Sequence, residues 1–178
     1  SNYAYAPHST NGGAHNSWLY AYGATVGGGM YNSAYGYQST TGGGWYVRSF
    51  GSWSTLGGGY WNWNYGAAGS EIGGSDHYIN GAWYAVISAG HNHYTYSYAA
   101  TIAGGMYGSV YGSWGSVGGG WYVHCHGTWS HIAGGHDTFT GSTGNVVLGG
   151  ISNYAYSSHS TIGGGTSSWM YTAYSTIS

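Results

Sequence analysis

Along most of the chain three successive positions read small, threonine, aliphatic, and the trio returns about every fifteen residues. Its aliphatic member is Val26, Leu56, Ile72, Ile87, Ile102, Val117, Ile132, Val147, Ile162 and Ile177. Two residues earlier stands a small side chain (Ala24, Ser39, Ser54, Ser70, Ala85, Ala100, Ser130, Ser160), and between the two often a threonine (Thr25, Thr40, Thr55, Thr101, Thr161, Thr176). In, out, in at a period of two predicts a β-strand whose aliphatic column faces a core. After each glycine cluster a second alternating run follows. Leu19, Ala34, Val110, Cys125, Ala155 and Met170 form one inward column, with Gly36, Gly51, Gly66, Gly112 and Gly127 two places on. The column between them points outward and is aromatic: Tyr20, Tyr35, Phe50, Tyr65, Tyr96, Tyr111, Tyr156 and Tyr171. Stacked coils lie ~4.8 Å apart, a spacing that lets such rings form an offset-stacked ladder.

These patterns predict an all-β chain, a parallel β-solenoid (β-roll) of about twelve 15-residue coils. Residues 1–178 read as one continuous repeat region, a window on a longer repeating fibre. Coil starts fall at Gly12, Gly27, Gly42 and Gly57, then at Gly73, Ser88, Ala103, Gly118, Ala133, Leu148 and Gly163. One residue too many lies between Gly57 and Gly73, in AAGSEI, and predicts a bulge or widened corner there. Glycine at the corners supplies positive φ and close backbone approach. A longer period overlies the short one. The segment from Ala103 restates that from Gly27 at an offset of 76, and SNYAYSSHSTIGGG from Ser152 restates SNYAYAPHSTNGG from Ser1 at an offset of 151.

Composition changes this picture mainly by exclusion. One Lys or Arg and three Asp or Glu in 178 residues leave Arg48 alone to meet phosphates, so nucleic acid is not an expected partner. No apolar run is long enough to predict a membrane-spanning helix. A single cysteine, Cys125, forms no internal disulfide, so backbone hydrogen bonds and stacking must hold the coils.

The tiling of GGG, an Asn, a small residue before Gly, and Ser-Thr is clearest in GGGMYNSAYGYQSTT, at Asn32, Ala34, Gly36, Ser39 and Thr40. It resembles the head repeats of trimeric autotransporter adhesins and related bacterial surface and phage tail-fibre proteins. The resemblance spans essentially the whole chain and implies a parallel β-roll, often trimeric, acting outside the cell as a stalk or adhesive head. The chain departs from those repeats in carrying fewer charges, and in Tyr35, Phe50 and Tyr111 where they usually have Ser.

Catalysis by paired carboxylates would have to use Glu71, Asp76 or Asp137, and nothing in their spacing sets two on one wall of a cleft. Glu71 and Asp76 flank one glycine corner, which reads as a solvated corner. Among histidines, His124 and His126 share a strand face while Cys125 points away, so the three do not close on one metal ion. His15, His91 and His136 share a column but lie several coils apart, and His91 and His93 are the other candidates. No catalytic, cofactor or metal site is predicted.

The expectation is a non-enzymatic extracellular filament, cell-surface fibre or adhesin that self-associates into a homo-oligomer, a trimer by the resemblance, through its aromatic ladder. A polysaccharide-binding module that docks surface glycans on the aromatic shelf is the alternative. Ice binding through the threonine column is a third reading, weakened where Glu71, Val86, His131 and Val146 break the column.

Overall fold

A computed structural model describes residues 1–81 and 83–178. Its strands are short, mostly two or three residues, and every one pairs in parallel with its equivalent in the neighbouring coil. Two sheets of 12 strands result. The first gathers the strands that follow the glycine corners, from Asn2–Ala4 and Ser17–Leu19 to Trp169–Met170. The second gathers the threonine–aliphatic strands, from Thr10–Asn11 and Thr25–Val26 to Thr176–Ile177. No helix occurs among the described residues. The chain is therefore the predicted β-solenoid, with ~4.8 Å per coil expected from the strand spacing.

Strand N–H groups donate forward, as from Trp18 to the carbonyl of Asn32 at 3.1 Å. Corner residues donate backward. Tyr31 N–H reaches the His15 carbonyl at 2.9 Å, and Trp53 N–H reaches the Tyr37 carbonyl at 2.8 Å. The reversal needs left-handed backbone, and non-glycine residues adopt it at both corners of most coils, for example Tyr46 (φ 57°), Trp61 (φ 56°) and Trp114 (φ 59°). That conformation costs an L-residue roughly 1–2 kcal/mol. The backward bond, together with stacking of the side chains one coil apart, offsets it.

A third inward column lies beside the glycine corner. The Asn32 amide donates to the carbonyls of Gly28 in its own coil (2.7 Å) and Gly44 in the next (3.0 Å), and its Oδ1 accepts the Val47 N–H (3.0 Å). Asn62 and Asn153 repeat the arrangement. One buried side chain thus pairs the Gly28 carbonyl and the Val47 N–H, and adds a second hydrogen bond to the Gly44 carbonyl, which also accepts the Met30 N–H.

The register corrects one part of the sequence reading. Glu71 pairs with Leu56 on one side and with Ile87 on the other, and it is 1% exposed, whereas Ile72 is 65% exposed. Ile72 is therefore a corner residue in line with Gly57 and Ser88, as shown by the Gly57 N–H bonding to Glu71 and the Ile72 N–H to Ile87. Ser70 moves from the inward column to the outward threonine column, and Gly69 takes the inward place. The extra residue lies one coil later than predicted. Pairing holds an offset of 15 from Trp63 to Tyr78 and changes to 16 from Tyr78 to Tyr94, so the insertion falls between Ile79 and Val86, where Gly81 adopts φ 62°. A corner absorbs an additional residue without disturbing ladder pairs, while an insertion inside a strand would turn every following side chain to the opposite face.

The core is a single layer from each sheet. Apolar residues cluster from Ile79 to Met170, and a smaller cluster runs from Ala14 to Ala34. Between them the buried side chains are largely polar, with Thr41, Ser49, Ser54, Asn64 and Glu71 beside Val47 and Leu56.

Candidate interaction surface

The outward aromatic column of the first sheet stacks as its period implies. Tyr20 and Tyr35 lie 4.8 Å apart and 5° from parallel, Tyr35 and Phe50 4.7 Å and 3°, and Phe50 and Tyr65 4.4 Å and 0°. Tyr96 and Tyr111 stack at 4.7 Å, and Tyr156 and Tyr171 at 5.2 Å. Tyr5 adds a rung below Tyr20 at 5.0 Å, and His126 adds one above Tyr111 at 4.5 Å with a tilted ring. The tyrosines are about half exposed, showing edges and hydroxyls while their faces are covered by neighbours.

Two positions in this column lack an aromatic, Asn80 and Gly141, and at both the ladder continues by another route. Tyr78, two residues before Asn80, lies 5.3 Å from Tyr65 and 6.4 Å from Tyr96. Phe139, two residues before Gly141, lies 4.9 Å from His126 and 5.4 Å from Tyr156. A Cβ on Gly141 would stand 2.8 Å from the Phe139 ring, so glycine makes the room. Tyr78 and Phe139 were absent from the predicted ladder. The gaps were readable in the sequence, but the lean of a neighbouring ring is a rotamer choice that periodicity does not specify.

Further aromatic columns run along both corners, including Tyr31 with Tyr46 (4.8 Å), Tyr107 with Tyr122 (4.7 Å) and Trp114 with Trp129 (5.1 Å). The column of Tyr31, Tyr46, Trp61, Tyr107 and Tyr122 has polar residues at its two ends, Asn16 and then Asp137, Ser152 and Ser167. It is interrupted at two successive coils within its run of rings, where Asp76 and Asn92 stand between Trp61 and Tyr107 in the same left-handed position. The break opens into two adjoining clefts of about 160 and 180 Å³ that share Asn92 and Tyr94. At their margin His91 Nδ1 lies 2.8 Å from Ser75 Oγ and 3.4 Å from Asp76 Oδ2, and its Nε2 lies 3.3 Å from Asn92 Nδ2.

Glu71 and Asp76, expected together at a solvated corner, have separate fates. Asp76 is at the surface; Glu71 is inside the stack against His77, which is also buried. Burial raises the Glu71 carboxyl to about 9 and lowers the His77 imidazole to about 4, so both are neutral near pH 7. His93, stacked on His77 at 5.0 Å, is lowered to about 4 by burial first and by His77 second. Both histidines stand in the column of Asn32 and Asn62. His93 Nδ1 accepts the Gly108 N–H at 3.0 Å as an asparagine oxygen would. Glu71 Oε2, His77 Nε2 and His93 Nε2 lack a well-formed hydrogen bond.

The other candidates are dispersed. Asp137 accepts the Tyr154 hydroxyl at 2.5 Å, and that bond pushes the phenol up to about 12. Cys125 is buried, and burial raises its thiol, while His124 and His126 lie on the opposite face, each lowered chiefly by burial. His15, His91 and His136 do share one column of bridges, separated by several coils. Among the described residues no group of three or more His, Cys, Asp or Glu is arranged to hold a metal ion. Comparison with protein-family models finds no match for the chain, and comparison with curated proteins finds none.

Proposed function

We propose that this chain is a stretch of a non-enzymatic extracellular structural filament or surface fibre, built by stacking β-solenoid coils and bundled sideways through its aromatic columns. The observation that carries this reading is recurrence of geometry along with sequence. The coil beginning at Ser152 restates that at Ser1, and the Tyr156–Tyr171 rung (5.2 Å, 5°) restates Tyr5–Tyr20 (5.0 Å, 15°). A stack that offers the same surface again after 151 residues can be extended with the contacts it already has. The lateral surface supports self-association: rows of half-exposed tyrosine and tryptophan run along stretches of both corners, as at Tyr31–Trp61, Tyr107–Tyr122 and Trp114–Trp129, with almost no charge between them. Copies of this chain are the expected partners, in a trimer if the adhesin resemblance extends to assembly.

Electron microscopy and fibre diffraction of the purified protein test the reading. Filaments with a meridional reflection near ~4.8 Å are expected. A discrete monomer at all concentrations in light scattering would refute it.

A further inference from the structure

The left-handed corner column carries rings at Tyr31, Tyr46 and Trp61 and again at Tyr107 and Tyr122, and short polar side chains at Asn16, Asp76, Asn92, Asp137, Ser152 and Ser167. The break at Asp76 and Asn92 is set apart by having a ring at each end, Trp61 and Tyr107. At the break two consecutive rungs are short and polar, and the chain is hollowed into the two joined clefts. Trp61 and Tyr107 bound the hollow along the axis, and Trp63 and Tyr94 form its side. The surface is thus divided by chemistry. The walls are aromatic faces and edges, and the margin carries a carboxylate, an amide and an imidazole already held near one another through His91.

We propose that this hollow binds a neutral polysaccharide chain lying along the solenoid axis. A pyranose ring has an apolar C–H face that stacks on indole or phenol and a rim of hydroxyls that both donate and accept. Trp61 and Tyr94 suit the face. Asp76 and Asn92 suit the rim, the first accepting only and the second doing both. Charge selects the class of sugar. The chain has one Lys or Arg in 178 residues, and that residue, Arg48, already lies over the Trp63 ring at 5.8 Å. Uronate, sulfate or phosphate groups would find the Asp76 carboxylate instead of a basic cluster. The hollow spans several coils of ~4.8 Å rise, and an extended glycan advances by a comparable distance for each sugar. The site is distinct from the aromatic ladder of Tyr20 to Tyr65 and does not depend on filament formation.

The 178-residue chain is titrated with soluble hydroxyethyl cellulose and, separately, with polygalacturonate, following tryptophan fluorescence and calorimetry. Saturable binding of the neutral polymer is expected, with the acidic one at least tenfold weaker. The decisive variant is Asp76→Tyr with Asn92→Tyr, which fills both rungs with the residue the column carries at Tyr107 and Tyr122. It should keep the β-sheet circular dichroism of the parent and weaken the neutral polymer at least tenfold. Trp61→Ala, which leaves the hollow open, should also weaken it. No saturable binding to the neutral polymer, or equal binding by the filled variant, overturns the proposal. So does concentration-dependent self-association that the filled variant abolishes, which would make the hollow a socket for a second copy.

Discussion

Glu71 Oε1 lies 3.2 Å from His77 Nδ1, and neither side chain is accessible to solvent. The pair sits where the aliphatic column above and below holds Leu56 and Ile87, next to the stacked ring of His93. Asp76 and His91 are the other titratable groups close by, and both are on the surface side. With both partners neutral the contact is a hydrogen bond within a low-dielectric core, not an ion pair.

Stability should therefore peak near neutrality and fall on both sides. The folded stack refuses protons at His77 and His93 until about pH 4, whereas the unfolded chain accepts them near 6.5. Stability from these two is complete above 6.5 and is lost as pH falls through about 4. Glu71 has the opposite sign: it keeps its proton to about pH 9 in the stack but loses it near 4.5 when unfolded. Its contribution is complete below 4.5 and declines as pH rises toward 9. Two histidines outweigh one carboxyl below 6.5, and the carboxyl alone governs above it. From pH 6.5 to 8 the loss is about 2 kcal/mol at ~1.4 kcal/mol per pH unit. Hydrogen exchange of the amides in residues 70–96 measures this. Glu71→Gln should remove the alkaline decline and keep the acid one; an unchanged alkaline decline in that variant would show that another group causes it.

The corner glycines divide into two kinds, which a pair of substitutions within one coil should expose. The N–H groups of Phe50 and Gly51 both donate to the Asn64 carbonyl, at 2.7 and 3.2 Å. This tight turn brings Gly51 so close that an added Cβ would overlap the Gly66 carbonyl oxygen. Gly51→Ala should destabilise by about 1–3 kcal/mol, since the obstacle is backbone with no freedom to swing aside. Around Gly43 a Cβ would meet nothing nearer than 4.0 Å. Gly43→Ala should be neutral or stabilise by about 0.4–1 kcal/mol through the unfolded chain. Thermal melts of the two variants check the contrast, and equal losses would contradict it.

What the sequence made legible follows from which interactions are periodic. Leu56, Ile102 and Ile132 could be placed because strand alternation and coil length both repeat, and Tyr20, Tyr35, Phe50 and Tyr65 followed by parity. Glu71 was misplaced because Ile72 beside it is the better core residue on hydropathy. Hydrogen-bonded register overrode that preference once the extra residue moved to the Gly81 corner. The burial of His77 went unseen for the same reason: only with the insertion correctly placed does it fall in line with Asn62, whereas His93 lies in that column in either register. The hollow at Asp76 and Asn92 is a relation between adjacent columns, and it appears only when Trp61, Trp63, Tyr94 and Tyr107 are set side by side in space.

The substitute rung at Phe139 gives the sharpest test of whether the ladder is a stabilising unit or a row of independent rings. Phe139→Ser should uncover the facing sides of His126 and Tyr156 and cost about 1–3 kcal/mol, from two aromatic contacts of ~0.5–1.5 kcal/mol each. Gly141→Tyr alone should also destabilise, because even its Cβ would stand 2.8 Å from the Phe139 ring. Together they should recover most of the loss, since the new tyrosine takes the regular place between His126 and Tyr156 and the ring that obstructed it is gone. The double-mutant cycle should therefore show a favourable coupling of about 1–3 kcal/mol. Near-ultraviolet circular dichroism should follow the same course, weakened in Phe139→Ser and recovered in the double variant. Additive losses would mean that neighbouring rings do not support one another, and lateral contacts between chains would then have to supply the stability that the ladder does not.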